Sequence, residues 1–105
     1  MSIYVDGTVT YDPIAIKDAQ TRRVGTEWCH FWCDPGDEME LLHVAKLIGL
    51  KLEWFQRRPN VPHDIPHFDL VPNKRRLAIL HGATAISMRE WMRNNPRETR
   101  KWDFQ

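Results

Sequence analysis

The chain has 105 residues, of which 42% are hydrophobic, and it carries five Trp and four Phe. A chain of this length and apolar content fits one small domain with a packed core, which excludes global disorder. Fifteen Lys and Arg against fourteen Asp and Glu leave a formal net charge of +1. An anionic partner would therefore be attracted by a local patch of charge and not by the protein as a whole.

The start of the chain and its two cysteines predict a cytoplasmic protein with no membrane partner. Residues 1–6 carry no basic stretch followed by an apolar run, and no segment reaches the roughly 18 apolar residues that a membrane span needs. Cys29 and Cys33 fall in one predicted strand, about 13 Å apart at 3.3 Å per residue. That distance is too long for a disulfide or a shared zinc ion, so we expect reduced, partly buried thiols.

Two strands are predicted in the first third of the chain. Ser2–Asp6 is a short β-branched and aromatic run that predicts the first strand, whereas residues 7–23 give no clear element beyond a turn at Asp12-Pro13. Glu27–Cys33 predicts the second strand. Because side chains alternate along a strand, one of its faces carries Trp28, His30 and Trp32.

A helix and a third strand are predicted next. Asp37 with Glu40 forms a capping-box pattern, apolar residues follow at helical spacing, and Gly49 provides the stop. Leu50–Gln56 then alternates apolar and polar side chains, as a third strand would. Pro59, Pro62 and Pro66 exclude both a regular helix and a central strand, so Arg57–Pro66 is a predicted loop.

The remaining elements are a helix from Pro72 to His81, a strand over Ala83–Ile86, and a third helix opened by a second capping box at Ser87. The buried face of that third helix is predicted to carry Met88, Trp91 and Met92. The alternating order predicts an α/β fold, a small Rossmann-like three-layer domain of about four mostly parallel strands with three helices. The domain would span residues 1–95, and residues 96–105 would form a basic, aromatic tail.

The predicted topology places polar residues at one edge. In open parallel sheets, ligands bind beyond the carboxyl ends of the strands. The expected residues at that edge are Asp6, Asp34, Gln56, Arg57, Arg58 and Ser87, and the predicted loop bearing His63, His67 and Asp69 leaves from the same side.

Several short motifs also occur in a fixed order along most of the chain. They are Tyr4-Val5-Asp6, Cys29-His30 with Asp34, Glu40-Leu41, Ile48-Gly49, Trp54-Phe55-Gln56, His67-Phe68-Asp69-Leu70, Lys74-Arg75, Gly82-Ala83 and Ile86. In these motifs the chain resembles DUF4031, a domain of unknown function found in bacteria and their phages. The resemblance implies no activity, but it marks as characteristic positions Asp6, His30, Asp34, Trp54, His67, Asp69, Lys74 and Arg75.

Our first functional hypothesis is a domain that binds an anionic, nucleotide-like small molecule without a cofactor. His67 and Asp69 lie two apart and would face the same way, so both could contact polar groups of one ligand. The guanidinium and ammonium groups of Arg57, Lys74 and Arg75 would contact phosphates, and Trp54 would contact the base or form the pocket wall. The remaining predicted ligand-binding residues are Asp6, His30, Asp34 and Gln56. In a phage, such a domain would act by sequestering a host signal nucleotide.

Two other functions are consistent with the same residues. A metal-dependent phosphoesterase or nuclease would use Asp6, Asp34, His67 and Asp69 around a divalent ion that activates water. A protein-interaction module would instead use the aromatic tail, and homo-oligomerisation is left open. Most site residues also have a structural interpretation: the histidines as satisfied core or loop groups, Asp6 and Asp34 as caps, Trp54 as core and the basic clusters as a solvated face.

Overall fold

The computed structural model describes residues 2–10, 27–58 and 64–104. The predictions for residues 11–23, including the turn at Asp12-Pro13, and those for Pro59, Pro62 and His63 therefore lie outside the described residues. Within the described ranges, no helix has both the length and the apolar content needed to cross a membrane.

The described strands are β1 (Ile3–Val5), β2 (Val9–Thr10), β3 (Glu27–Cys33), β4 (Phe68–Leu70) and β5 (Thr84–Ala85). The predictions of β1, β3 and β5 are thus confirmed.

The strand β3 is the centre of the sheet. Phe31 pairs with Val5 of β1 and also with Phe68 of β4, so these two strands lie along opposite edges of β3. β5 pairs with the far side of β1, and β2 pairs with the first residues of β3. The spatial order is therefore β5, β1, β3, β4, with β2 continuing the edge that β1 occupies.

The sheet is mixed, which corrects the prediction of a mostly parallel, Rossmann-like sheet. β3 runs antiparallel to β1, β2 and β4, and only β1 and β5 pair in parallel. The predicted third strand over 50–56 is wrong, because Leu52–Trp54 forms a 3-10 turn. His67 and Asp69 were expected on a loop. Asp69 instead lies in β4, which runs antiparallel to β3, and His67 immediately precedes that strand.

Three helices cover the two faces of this sheet: α1 (Glu38–Leu47), α2 (Pro72–Leu80) and α3 (Met88–Asn94). Leu41 of α1 and Ala78 of α2 join Cys29 and Phe31 in the apolar core on one face. Trp91 of α3 packs on the opposite face, 6.0 Å from the Trp32 ring. The fold is thus a small α/β domain with helices on both sides of its sheet.

The helix ends agree with prediction in part. Gly49 and Gly82 take positive φ values of 86° and 106° after α1 and α2, a conformation that favours glycine. The Ser87 hydroxyl accepts the backbone N–H of Glu90, as a cap should.

Two helix predictions are wrong. The Asp37 side chain makes no capping bond. The carboxylate of Glu38 instead accepts the N–H groups of Gly36 and Asp103, both outside the helix. Met92 was expected on the buried face of α3, but it is exposed, whereas Trp91 is buried and Met88 partly buried.

The final residues pack against the domain. The indole N–H of Trp102 donates to the Cys33 carbonyl at 2.8 Å, and the Phe104 ring lies 4.7 Å from the Phe55 ring. Arg57 donates to the Phe104 carbonyl. Trp102 and Phe104 thus extend the hydrophobic core.

Candidate metal centre

Strand pairing places three of the predicted polar residues in one row. His30 of β3 pairs directly with Asp69 of β4, and the N–H of Asp6, just after β1, donates to the His30 carbonyl at 3.3 Å. Gln56 and His67 pair through two backbone hydrogen bonds of 2.8 and 3.1 Å, which extends β4 backwards. Because side chains alternate, His30, His67 and Asp69 project from the face opposite the apolar core.

His30 is held by the carboxylate of Asp6. One oxygen of Asp6 accepts the backbone N–H of His30 at 2.6 Å, and the other lies 2.7 Å from the ring Nδ1. An ionised carboxylate can only accept, so Nδ1 carries the proton and Nε2 is the nitrogen with a lone pair. A histidine whose Nδ1–H is bound by a carboxylate is the usual arrangement behind a metal ligand.

His67 is oriented in the same way by the backbone. Its Nδ1 lies 2.8 Å from the carbonyl oxygen of Ile65, which assigns a proton to Nδ1 and, in the neutral ring, the lone pair to Nε2. The His30 and His67 rings meet edge to face with centroids 4.9 Å apart. Burial works to lower the pKa of His67, but the nearby Asp69 carboxylate and the hydrogen bond to the Ile65 carbonyl outweigh it and leave the pKa raised.

Asp69 has one satisfied oxygen and one that lacks a hydrogen-bond partner. Its Oδ2 accepts the side-chain amide of Gln56. Its Oδ1 is buried, without a hydrogen-bond partner among the described residues, and lies 3.5 Å from His67 Nε2. A buried carboxylate oxygen is costly without a hydrogen-bond donor or a cation. This orphaned oxygen fits a bound cation.

The three side chains converge closely enough to share one ion. Each of His30, His67 and Asp69 offers a ligand atom, and these atoms lie within 4.8 Å of one another. A tetrahedral ion with bonds of about 2.1 Å separates its ligands by about 3.4 Å. Small side-chain adjustments would therefore complete the coordination, and the second histidine, His30, is the member that the predicted metal set omitted.

Asp34, which the predicted metal set included, lies elsewhere. It follows the end of β3, about 13 Å along the strand from His30 at 3.3 Å per residue. Its carboxylate accepts the Tyr4 hydroxyl at 2.8 Å and the Trp91 indole N–H at 2.9 Å. The grouping of Asp34 with Asp6 is wrong because β3 is antiparallel to β1, which brings the middle of β3, at His30, and not its end, beside Asp6.

The predicted phosphate-binding residues do not converge on one point. Lys74 donates to the Ile48 carbonyl at 2.6 Å, and Arg57 donates to the Phe104 carbonyl at 2.7 Å. Arg75 does reach the site's edge, where its Nε donates to the backbone carbonyl of Asp6 at 2.8 Å. Trp54 packs against the core, with the Lys51 ammonium 5.6 Å from its ring.

The site contains one residue that sequence reasoning did not identify. The carbonyl of Ile65 orients His67, and a backbone group of this kind has no signature in a sequence. Gln56, which we did predict, supports Asp69 from the paired strand segment. The signal that could have added His30 to the metal set is that it is the one ionisable side chain on its face of β3, between Trp28 and Trp32.

Comparison with known proteins gives one result. A family model described as "Protein of unknown function (DUF4031)" matches residues 14–98. No curated protein and no solved structure matches the chain.

Proposed function

The chain belongs to the DUF4031 family, whose description assigns no activity, and we propose from its geometry that it is a metal-dependent phosphoesterase. His30, His67 and Asp69 would hold one divalent transition-metal ion, and the substrate would be phosphate-bearing and nucleotide-like. The observation that carries the proposal is the orphaned Oδ1 of Asp69 beside two histidines whose Nδ1 atoms are both engaged.

The charge of the site favours a cation over a free anion. Asp6 and Asp69 contribute two carboxylates, and His30 and His67 present lone pairs when neutral. An anionic ligand placed against this cluster alone would be repelled. A divalent ion would offset both carboxylates and then attract phosphate, so the nucleotide-like molecule of our first hypothesis becomes the ligand of the metal.

The ligand types indicate which ion fits. Two imidazole nitrogens and one carboxylate suit Zn²⁺, Fe²⁺ or Mn²⁺, whereas Mg²⁺ prefers oxygen ligands and retains its water. Three protein ligands leave at least one position for water or substrate, as in catalytic zinc sites. Bound there, the ion would act as a Lewis acid and lower the pKa of a coordinated water.

The rim of the site supports a phosphate-bearing substrate. Arg58 follows Gln56 by two residues, and its Nε and terminal nitrogen donate to Asp64 at 3.1 and 2.8 Å. These bonds hold an exposed guanidinium on the segment that pairs with His67. Guanidinium groups bind phosphate well, so Arg58, and not Arg57 or Lys74, is the side chain we assign to the substrate, whose phosphate would share the guanidinium with Asp64.

The cellular setting remains part of the proposal. Cys29 and Cys33 are buried free thiols, which suits the reducing cytoplasm, where we place the protein.

The test begins with metal binding. Isothermal titration of the metal-free protein with Zn²⁺, Mn²⁺ and Mg²⁺ should give one site that prefers the first two ions. His67→Gln and Asp69→Asn should abolish that site. His81→Gln serves as the matched control, because His81 is an exposed histidine after α2.

Activity is tested second, with bis(p-nitrophenyl) phosphate and cyclic dinucleotides as substrates. Hydrolysis should appear with the bound ion, vanish with chelator and vanish in Asp69→Asn. Metal-dependent binding of the dinucleotide without turnover would favour the sequestering domain instead. Absence of metal binding would overturn the proposal altogether.

A further inference from the structure

A groove of about 550 Å³ lies on α1 near the end of α2, and it is lined by Met39, Glu40, His43, Val44, Leu47 and His81. Met39, His43 and Leu47 are spaced four residues apart, so they form one stripe along α1. This groove is separate from the metal centre, because α1 and α2 pack on the apolar face of the sheet while His30 and His67 project from the other.

Large apolar side chains are exposed both in the groove and beside it. Met39 is 83% exposed and Leu47 is 54% exposed, and Leu80, next to His81, is 79% exposed. Three more large apolar side chains are exposed in the described ranges: Leu52, Ile79 and Met92. Of these, Ile79 also lies on α2. Apolar exposure is therefore concentrated on two adjoining helices, which is the pattern of a docking surface.

One charge in the groove lacks a partner. The Oε1 atom of Glu40 is buried and has no hydrogen-bond partner within the described residues. A carboxylate oxygen in that position is unfavourable until a cation approaches it. Glu40 as a whole is only partly buried and lines the groove, so a rotation of its side chain can turn this oxygen towards such a group.

We propose that this groove docks an amphipathic helix of another protein that carries a Lys or Arg among its apolar residues. The apolar side chains would cover Met39, Leu47 and Leu80, and the basic side chain would pair with Glu40. The chain's own aromatic tail cannot serve, because Trp102 and Phe104 are already packed against the core. Helix-in-groove binding of this kind uses apolar anchors at helical spacing.

The experiment uses a fluorescein-labelled peptide of about 18 residues, with Leu at helical spacing and one Lys in the apolar face. A second peptide replaces that Lys with Glu. Fluorescence anisotropy with the full chain should show binding of the Lys peptide at least about ten-fold tighter than the Glu peptide. Glu40→Gln should remove this preference, and Leu47→Ser should weaken the Lys peptide by about ten-fold.

The matched control is Leu52→Ser, because Leu52 is exposed outside the groove and its loss should leave peptide binding unchanged. Circular dichroism of each variant checks that it folds. Equal binding of the two peptides, or binding of neither, would overturn the proposal. A dimer in native mass spectrometry that Leu47→Ser dissociates would overturn it as well, since the occupant would then be a second copy of the chain.

Discussion

Asp6 holds His30 by two hydrogen bonds, one to the backbone N–H at 2.6 Å and one to the ring Nδ1–H at 2.7 Å. The first bond ties the carboxylate to the edge of β3, and the second uses that fixed carboxylate to orient the ring. The Nε2 atom of His30 is thereby presented with its lone pair before any ligand arrives. Asp6 is thus a positioning residue, and its effect should be measurable apart from that of the ligands.

We expect Asp6→Asn to weaken Zn²⁺ binding by about 10- to 100-fold, which is the usual effect of removing the partner of a metal-bound histidine. The amide keeps the shape of the side chain but does not favour the Nδ1–H form of the ring as a carboxylate does. Isothermal titration of the metal-free variant measures this change directly.

The matched control is Asp34→Asn, since Asp34 also accepts two hydrogen bonds but lies at the other end of β3. It should lower the free energy of unfolding by about 1–3 kcal/mol and leave Zn²⁺ affinity unchanged. Equal losses of affinity in the two variants would show that Asp6 acts only through general stability.

Asp69→Asn should separate the structural role of this residue from its metal role. In the metal-free protein the variant should melt no lower than the wild type, because an amide replaces a buried carboxylate oxygen that has no partner and still accepts the bond from Gln56. The wild type should gain about 2.7 kcal/mol when free Zn²⁺ is about 100 times its Kd, and the variant should gain nothing.

Thermal unfolding with Zn²⁺ and with chelator provides both measurements for Asp69→Asn. Asp64→Asn is the control, because Asp64 pairs with Arg58 at the rim and its removal should leave the zinc-induced gain in place. If Asp69→Asn melts at a lower temperature than the wild type and is still stabilised by Zn²⁺, the carboxylate serves the fold and not the metal.

Local signals in the sequence predicted the elements that the structure confirms. Alternating side chains identified β3, and the Pro72 and Gly82 signals bounded α2 correctly. The prediction of a strand over residues 50–56 was wrong because the alternating pattern there suits a strand and also a turn whose Trp54 and Phe55 pack on the core. Periodicity over so few residues cannot separate the two.

The candidate site was predicted in its members but not in its arrangement. His67 and Asp69 were correctly placed on one face, since alternation is a local property. The direction of β3 decides that His30 joins them and that Asp34 lies away from the site. That direction is set by packing between distant segments. A sequence pattern carries little information on that choice.

The two cysteines should be unreactive in the folded protein. Burial, together with the nearby Asp6 charge, raises the pKa of Cys29 to about 12, and burial likewise raises the pKa of Cys33. The thiolate, which is the reactive form, is therefore scarce at about pH 8. We expect iodoacetamide to label both residues only in denaturant, as intact-mass spectrometry would show, and fast labelling of the native chain would place a thiol outside the core.

Glu38 links the end of the chain to α1 through its charge, and this gives a pH-dependent stability. Burial works to raise the pKa of its carboxyl, but the backbone N–H groups of Gly36, Asp103 and Glu38 itself outweigh burial and lower the pKa. A carboxyl with a lowered pKa in the folded state stabilises it above the unfolded pKa. That contribution is lost as the pH falls through the folded value.

Glu38→Gln should therefore reduce the free energy of unfolding by about 1 kcal/mol at neutral pH, because hydrogen bonds to a charged acceptor become bonds to a neutral one. Urea unfolding between about pH 7 and pH 3 should show the difference from wild type shrinking below the ordinary pKa of 4.5. Glu53→Gln, at an exposed glutamate, should show no difference at any pH. If the free energy of unfolding of Glu38→Gln differs from that of the wild type by the same amount at every pH, the side chain acts by packing. A contribution from the ionised carboxylate would disappear when the carboxylate is protonated.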